Sequence, residues 1–155
     1  MPDLIVRKNR HGDGVYAGRL LKKGEKIFVL NGKRRTLKDL YANPKRAAEE
    51  IDYPLQIGKK LYLELDNPSV YFNHSCSPNS GVRNRSGLFA LRDIKPGEEI
   101  TYDYSTTIDE SFKCQCGSKK CRRVLVDFFG LPRLLQKRYV AQGAVPKFIL
   151  KKYRR

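Results

Sequence analysis

Along the first hundred residues of the chain, apolar positions come in short runs cut by glycine turns, which is the pattern of short strands. Leu4-Ile5-Val6 predicts a strand, His11-Gly12-Asp13-Gly14 a turn, and Val15-Tyr16-Ala17 the resumption of pairing. Lys23-Gly24 turns into Ile27-Phe28-Val29-Leu30, and Asn31-Gly32 closes that run. Thr36 before Leu37-Lys38-Asp39 reads as an N-cap opening a helix, which Pro44 either ends or follows with a second helix to Glu50. Leu61, Leu63 and Leu65 alternate with Tyr62 and Glu64, the period of a half-buried strand. Val82–Arg85 and Leu88–Leu91 flank Ser86-Gly87 as a hairpin, and Lys95-Pro96-Gly97-Glu98 turns into an Ile100–Tyr104 strand with Tyr102 and Tyr104 on one face. After Gly130 the period changes. Leu131, Leu134, Leu135 and Tyr139 are spaced for one face of a helix, and Phe148-Ile149-Leu150 follows the interruption at Gly143 and Pro146.

Composition makes this one domain: 155 residues, 40% apolar, enough for a real core. No apolar run is long enough to cross a bilayer, and Met1-Pro2-Asp3-Leu4 lacks a signal-peptide pattern, so no membrane partner and an intracellular setting are expected, in the nucleus if eukaryotic and the cytoplasm or nucleoid if prokaryotic. The net charge of +16 predicts an anionic neighbour, nucleic acid or a nucleoprotein particle, with a solvated lysine face as the plainer reading. Charge is segregated: residues 128–155 hold eight Lys or Arg and no acid, and residues 98–112 hold five acids and no base. Such an acidic island suggests a place for a basic peptide.

All four cysteines enter one arrangement, Cys76 within Asn73-His74-Ser75-Cys76-Ser77-Pro78-Asn79 and Cys114-Gln115-Cys116 followed by Cys121. In a reducing compartment this is a four-thiolate zinc inventory, with disulfides as the alternative. Four cysteines fill a tetrahedron, which leaves His74 outside the ligand set. Gly12-Asp13-Gly14 alone is a turn of the kind that brings bare backbone close to a small ligand.

Taken together, Gly12-Asp13-Gly14-Val15-Tyr16-Ala17, Phe72-Asn73-His74-Ser75-Cys76-Ser77-Pro78-Asn79, Gly97-Glu98-Glu99-Ile100-Thr101-Tyr102-Asp103-Tyr104 and Cys114-Gln115-Cys116-Gly117-Ser118-Lys119-Lys120-Cys121-Arg122 resemble, in order and spacing, a SET-domain protein lysine methyltransferase with a post-SET zinc segment. The resemblance covers about residues 4–126. It implies a mainly β fold with short helices (α+β): a β-clip of small curved sheets with a C-terminal pseudoknot, a post-SET zinc segment and a C-terminal helix. Its parts would be a SET domain at 1–112, the zinc segment at 113–126 and a basic helical extension at 127–155.

The resemblance further implies S-adenosylmethionine as methyl donor, with S-adenosylhomocysteine as product. Asp13, Gly14 and Val15 would meet the donor through the backbone, Asn73 and His74 would hold its amino acid and adenine portions, and Tyr53 would add a further contact. Cys76, Cys114, Cys116 and Cys121 would bind one structural zinc. Tyr104 matches the catalytic tyrosine, and Tyr102 the position that regulates product order, which favours mono-methylation with di-methylation the second outcome. The partner would be a basic chromatin or ribosomal protein presenting a lysine to a monomeric enzyme.

Two positions depart from the family pattern. Leu30-Asn31-Gly32 stands where relatives carry Tyr-x-Gly, removing one hydroxyl from the lysine channel, and Val70-Tyr71-Phe72 lacks an arginine, which puts a local ion pair in doubt. Two other functions stay open at this level: a non-catalytic zinc-stabilised docking module for nucleic acid or ribosomes, and an enzyme acting on a non-protein amine.

Overall fold

The computed structural model describes residues 3–10, 12–42 and 54–154. Tyr53 and the stretch from Pro44 to Glu50 lie outside the described residues, so their expected roles find neither support nor correction there. Strands β1 (Leu4–Asn9) and β2 (Gly12–Ala17) form an antiparallel hairpin in which Asn9 pairs with Gly12. Gly12-Asp13-Gly14 is therefore strand, not turn.

β3 (Lys26–Val29), β7 (Ser80–Arg83) and β8 (Gly87–Ala90) make a three-stranded sheet in the order β3-β8-β7. β4 (Gly32–Thr36), β5 (Leu55–Gly58) and β6 (Leu61–Leu65) make a second, in the order β4-β6-β5. β4 has no apolar alternation, which hid it in the sequence: Gly32-Lys33-Arg34-Arg35-Thr36 is an edge strand held by its pairing with β6. Gly32 is required there, because a Cβ would fall 2.1 Å from the Glu64 carbonyl oxygen. Thr36 ends the strand and starts helix α1 (Leu37–Tyr41), its hydroxyl capping Asp39 N–H while the Asp39 carboxylate accepts from Thr36 N–H. Tyr62 is buried as well as Leu63, so β6 is covered on both faces and not on one. Its hydroxyl reaches the Asp109 carboxylate.

The main core gathers Val15, Leu30, Leu55, Phe72, Val82, Leu88, Ile94, Ile100 and Tyr102. A two-stranded ribbon, β9 (Phe112–Lys113) with β10 (Val124–Leu125), frames the C-terminal cysteines. Helices α2 (Arg133–Ala141) and α3 (Lys147–Tyr153) then pack Phe128, Leu131, Tyr139, Val145 and Ile149 against Phe89 in a second core. Leu134, expected on the inner face of α2, is 81% exposed; the inner face is carried by Leu135, Gln136 and Tyr139. This is a mixed α/β arrangement of small antiparallel sheets, short helices and a C-terminal helical unit folded onto the body. No helix among the described residues is long and apolar enough to cross a membrane.

Candidate active site and metal cluster

The Ile100–Tyr104 segment is extended but not a sheet strand. Tyr102 makes a parallel bridge with His74, and Tyr104 opens a 3-10 turn, Tyr104–Thr106. Tyr102 N–H donates to the Asn73 carbonyl at 3.2 Å and Ser75 N–H to the Tyr102 carbonyl at 3.1 Å. The Asn-His loop and the tyrosine segment, which a pseudoknot would bring together, thus lie side by side. The Tyr102 and Tyr104 ring centroids are 4.9 Å apart, so the two tyrosines do share one side.

Four elements meet at Asn73. Its amide donates to the Asp13 carbonyl at 3.0 Å and to Glu99 Oε1 at 2.8 Å. Asn9 on β1 donates to the same carboxylate oxygen at 2.8 Å. Gly14 allows the approach, since a Cβ there would lie 2.6 Å from Glu99 Oε1 and 2.7 Å from Asn9 Nδ2. Val15 is buried, and its carbonyl accepts from Ile100 N–H at 2.7 Å. Asn79 finishes the frame by side chain: its amide donates to the Glu99 carbonyl at 2.8 Å and its Oδ1 accepts from Thr101 N–H at 3.0 Å.

Tyr104 hydroxyl donates to the Phe72 carbonyl at 2.9 Å, one residue before Asn73. Tyr102 is buried, and burial pushes its ionisation above the ordinary tyrosine range. Leu30, in the slot where a channel tyrosine was expected, is fully buried in the main core and offers no hydroxyl.

His74 has lost its charge to burial, which pulls its pKa down to about 4, with nearby Asp103 opposing and Arg122 adding to the fall. Its Nδ1 accepts from Tyr104 N–H at 3.1 Å. A neutral ring must then carry its proton on Nε2, which lies 3.2 Å from Cys76 Sγ. The 3.7 Å approach of Nδ1 to Asp103 Oδ1 is accordingly no ion pair.

His74, Cys76, Cys114 and Cys116 form a Cys3His cluster of metal-binding type, their ligand atoms all within 4.8 Å of one another. Cys121 joins it, with Sγ 3.6 Å from Cys114 Sγ, while Cys76 and Cys114 are 3.7 Å apart. Thiolates bound to zinc at about 2.3 Å stand about 3.8 Å from one another in a tetrahedron, so the sulfur spacings fit that ion. Without metal, burial raises Cys76 to about 11 and raises Cys114 further, whereas the Arg123 N–H lowers Cys121 to about 7.

Asp103 was not singled out by the sequence, yet it is the most heavily partnered side chain of the site. Arg122 clamps it with two bonds of 2.8 Å, Ser105 N–H donates at 3.0 Å, and Tyr139 hydroxyl donates at 2.7 Å. Glu98 pairs with Arg92 at 2.8 Å, Glu99 holds Asn9 and Asn73, and Asp109 holds Tyr62. Glu98, Glu99, Asp103 and Asp109 each have a partner within the chain; of these only Asp103 is buried, and Asp109 stays exposed. Glu99, Asn9 and Asn79 were missed too; a carboxylate two residues before Thr101 in a glycine-flanked motif was visible only as charge.

With this geometry in view, the similarity to known proteins is specific. The SET-domain family profile matches residues 12–105. The chain is 38% identical over 138 residues to the variant-silencing SET domain-containing protein of Plasmodium falciparum, covering 77% of this chain and 5% of that one. It is 35% identical over 134 residues to the histone-lysine N-methyltransferase trithorax of Drosophila virilis, covering 78% of this chain and 4% of that protein. Among solved structures, that of KRYPTONITE in complex with mCHH DNA, an H3(1-15) peptide and SAH superposes with a TM-score of 0.61 at 26% identity, covering 79% of this chain and 29% of the other. The chain belongs to the SET-domain family. It spans only a small part, about a twentieth, of the two longer relatives named.

Proposed function

We propose that the protein is an S-adenosylmethionine-dependent protein-lysine N-methyltransferase that mono-methylates, with di-methylation the second outcome, a lysine in a basic chromatin or ribosomal protein. The observation that carries this reading is the juxtaposition at Phe72-Asn73: the Tyr104 hydroxyl is 2.9 Å from the Phe72 carbonyl, and the next side chain is bonded to Asp13 of the glycine-bordered strand. The residues expected to hold the donor and the residue expected to orient the acceptor are thus adjacent.

The donor's chemistry is a sulfonium-bound methyl open to direct displacement by an amine. The protein's part is to present that amine neutral and in line. A lysine side chain in water titrates at about pH 10.4, and entry of its cation into an apolar aromatic site lowers that value by desolvation. Tyr104 hydroxyl, beside the Phe72 carbonyl, orients the amine lone pair, and Tyr102 hydroxyl limits the room for a second methyl. Alignment of this kind supplies much of the rate. Asp13, Gly14, Val15, Asn73 and His74 form the donor side, and Tyr53 is proposed as a further donor contact.

For the metal we propose Cys76, Cys114, Cys116 and Cys121 as ligands of one structural zinc. His74 is then a hydrogen-bond donor to the Cys76 thiolate, because its Nδ1 already accepts from Tyr104. Zinc in that set ties the Asn-His loop to the chain after Phe112.

The relatives named as histone-lysine methyltransferases support an intracellular setting and a histone-like substrate, and the KRYPTONITE complex holds both DNA and a histone peptide. The charge of +16 supports contact with a nucleic-acid-bearing particle, in a nucleus or a nucleoid. The test is incubation with labelled donor and, separately, mixed core histones and a ribosomal protein mixture, with mass spectrometry of the products. Mono-methyl-lysine in wild type and its near loss in Tyr104→Phe supports the reading. Protein that fails to bind donor in a direct titration belongs instead to a docking module.

A further inference from the structure

We propose that Tyr139, on the C-terminal helix α2, is a positioning residue for the methyl-transfer site, acting through the buried Asp103 carboxylate that caps the turn carrying Tyr104. The proposal rests on the methyltransferase reading above and extends it to a segment outside the 12–105 family match.

Asp103 lies between the two site tyrosines, and its side chain is about 1% exposed. A carboxylate that far from water is tolerated only when its lone pairs are filled. Oδ1 accepts from Arg122 Nη2 at 2.8 Å and Ser105 N–H at 3.0 Å, and Oδ2 accepts from Arg122 Nη1 at 2.8 Å and Tyr139 hydroxyl at 2.7 Å. Each partner comes from a different part of the chain: the Tyr104 turn, the zinc segment and the C-terminal helix.

The bond to Ser105 N–H makes Asp103 the N-cap of the Tyr104–Thr106 turn. Its carbonyl also accepts from Thr106 N–H at 3.1 Å and Thr106 hydroxyl at 2.8 Å. The carboxylate orientation therefore sets the start of the turn, and with it the direction in which Tyr104 leaves the backbone. Arg122 alone fixes the carboxylate within the guanidinium plane. Tyr139 adds a donor whose ring belongs to the second core. Asp103 is thereby referenced to a packed helical unit, not only to the zinc segment.

A merely structural Tyr139 would matter only through stability. The test pairs Tyr139→Phe, which removes one hydroxyl, with Val145→Ala, which removes buried volume from the same core without touching Asp103. Two readouts are taken on the full chain at a temperature where both variants are folded. The first is hydrogen exchange at the Ser105, Thr106 and Thr107 amides, which needs no substrate. The second is steady-state transfer from labelled S-adenosylmethionine to mixed core histones.

Tyr139→Phe is expected to speed exchange at 105–107 selectively and to lower kcat roughly ten- to a hundredfold, the scale of a sub-ångström misplacement, with the donor KM within about twofold of wild type. Val145→Ala is expected to lose thermal stability and show neither effect. Identical exchange at 105–107 in the two variants, or an unchanged kcat in Tyr139→Phe, overturns the proposal. If wild type methylates no histone, the histone reading fails, and the exchange comparison decides the positioning role by itself.

Discussion

Strand β8 serves two interiors that differ in kind. Leu88 and Ala90 face the main core, where apolar side chains back a polar, densely hydrogen-bonded site; Phe89, between them, faces a second core built by the C-terminal helices. On the first side, burial comes with polar groups that must be matched one by one, such as Asn73, Glu99 and Asp103. On the second, it comes mostly with aromatic and aliphatic volume. Arg83 stacks its guanidinium 3.8 Å over the Phe89 ring at the border. The contrast teaches that the basic C-terminal stretch is no loose tail. It covers the other face of the β3-β8-β7 sheet, and its charge sits on the outside of helices whose inner faces are needed for the fold.

The comparison breaks most decisively by deletion. Truncation after Gly130 uncovers Phe89 and Phe128 and removes Tyr139 from Asp103, so the expected product lacks cooperative thermal unfolding and near-ultraviolet dichroism. A truncated protein that stays folded and active on a free peptide would return the segment to the role of a recruiting arm. Next in size, Tyr104→Phe should lower turnover by roughly a hundredfold or more, the cost of one positioned transition-state contact, with donor affinity by calorimetry nearly intact. Cys114→Ser should abolish zinc by elemental analysis and weaken donor binding, because its sulfur lies next to those of both Cys76 and Cys121.

A smaller effect belongs to the second core. Phe89→Ala should cost about 3–5 kcal/mol in chemical denaturation while the folded fraction binds donor as wild type does. Smallest in energy and most informative in outcome is Tyr102→Phe, which should shift products from mono- toward di- and tri-methyl-lysine in mass spectra. Efficient tri-methylation by wild type would contradict the space-holding role, with the buried Leu30 as the physical reason.

Much of this was legible in the chain. Alternation and glycine turns located most strands, the Thr36 cap opened the helix after it, and the cysteine spacing located the metal-type cluster, though not that His74 would stand within it. The motifs pointed to the Asn-His loop and both tyrosines, which the fold brings side by side. What stayed hidden has a common cause. β4 is a strand because β6 pairs with it, and no residue of Lys33-Arg34-Arg35 announces that. Leu134 fits the helical period yet faces solvent, because period gives a face and not which neighbour covers it. Charge counts do not register the partners of the acids in 98–112, and those partners, Arg92, Asn9, Asn73, Tyr62 and Arg122, are mostly distant in sequence. Asp103 is the extreme case: its role depends on residues 19 and 36 positions away.

Those separations bear on how the protein is made. A nascent chain that has emerged only as far as Tyr104 already carries both tyrosines and the Asn-His loop, but it holds a carboxylate with neither its guanidinium nor its phenol. During synthesis the segment around Asp103 must wait, first for Arg122 and the last cysteine, then for α2. Until the helices after Gly130 have left the ribosome, Asp103 lacks its Tyr139 partner and the Phe89 face of the sheet is uncovered, the kind of surface that chaperones bind.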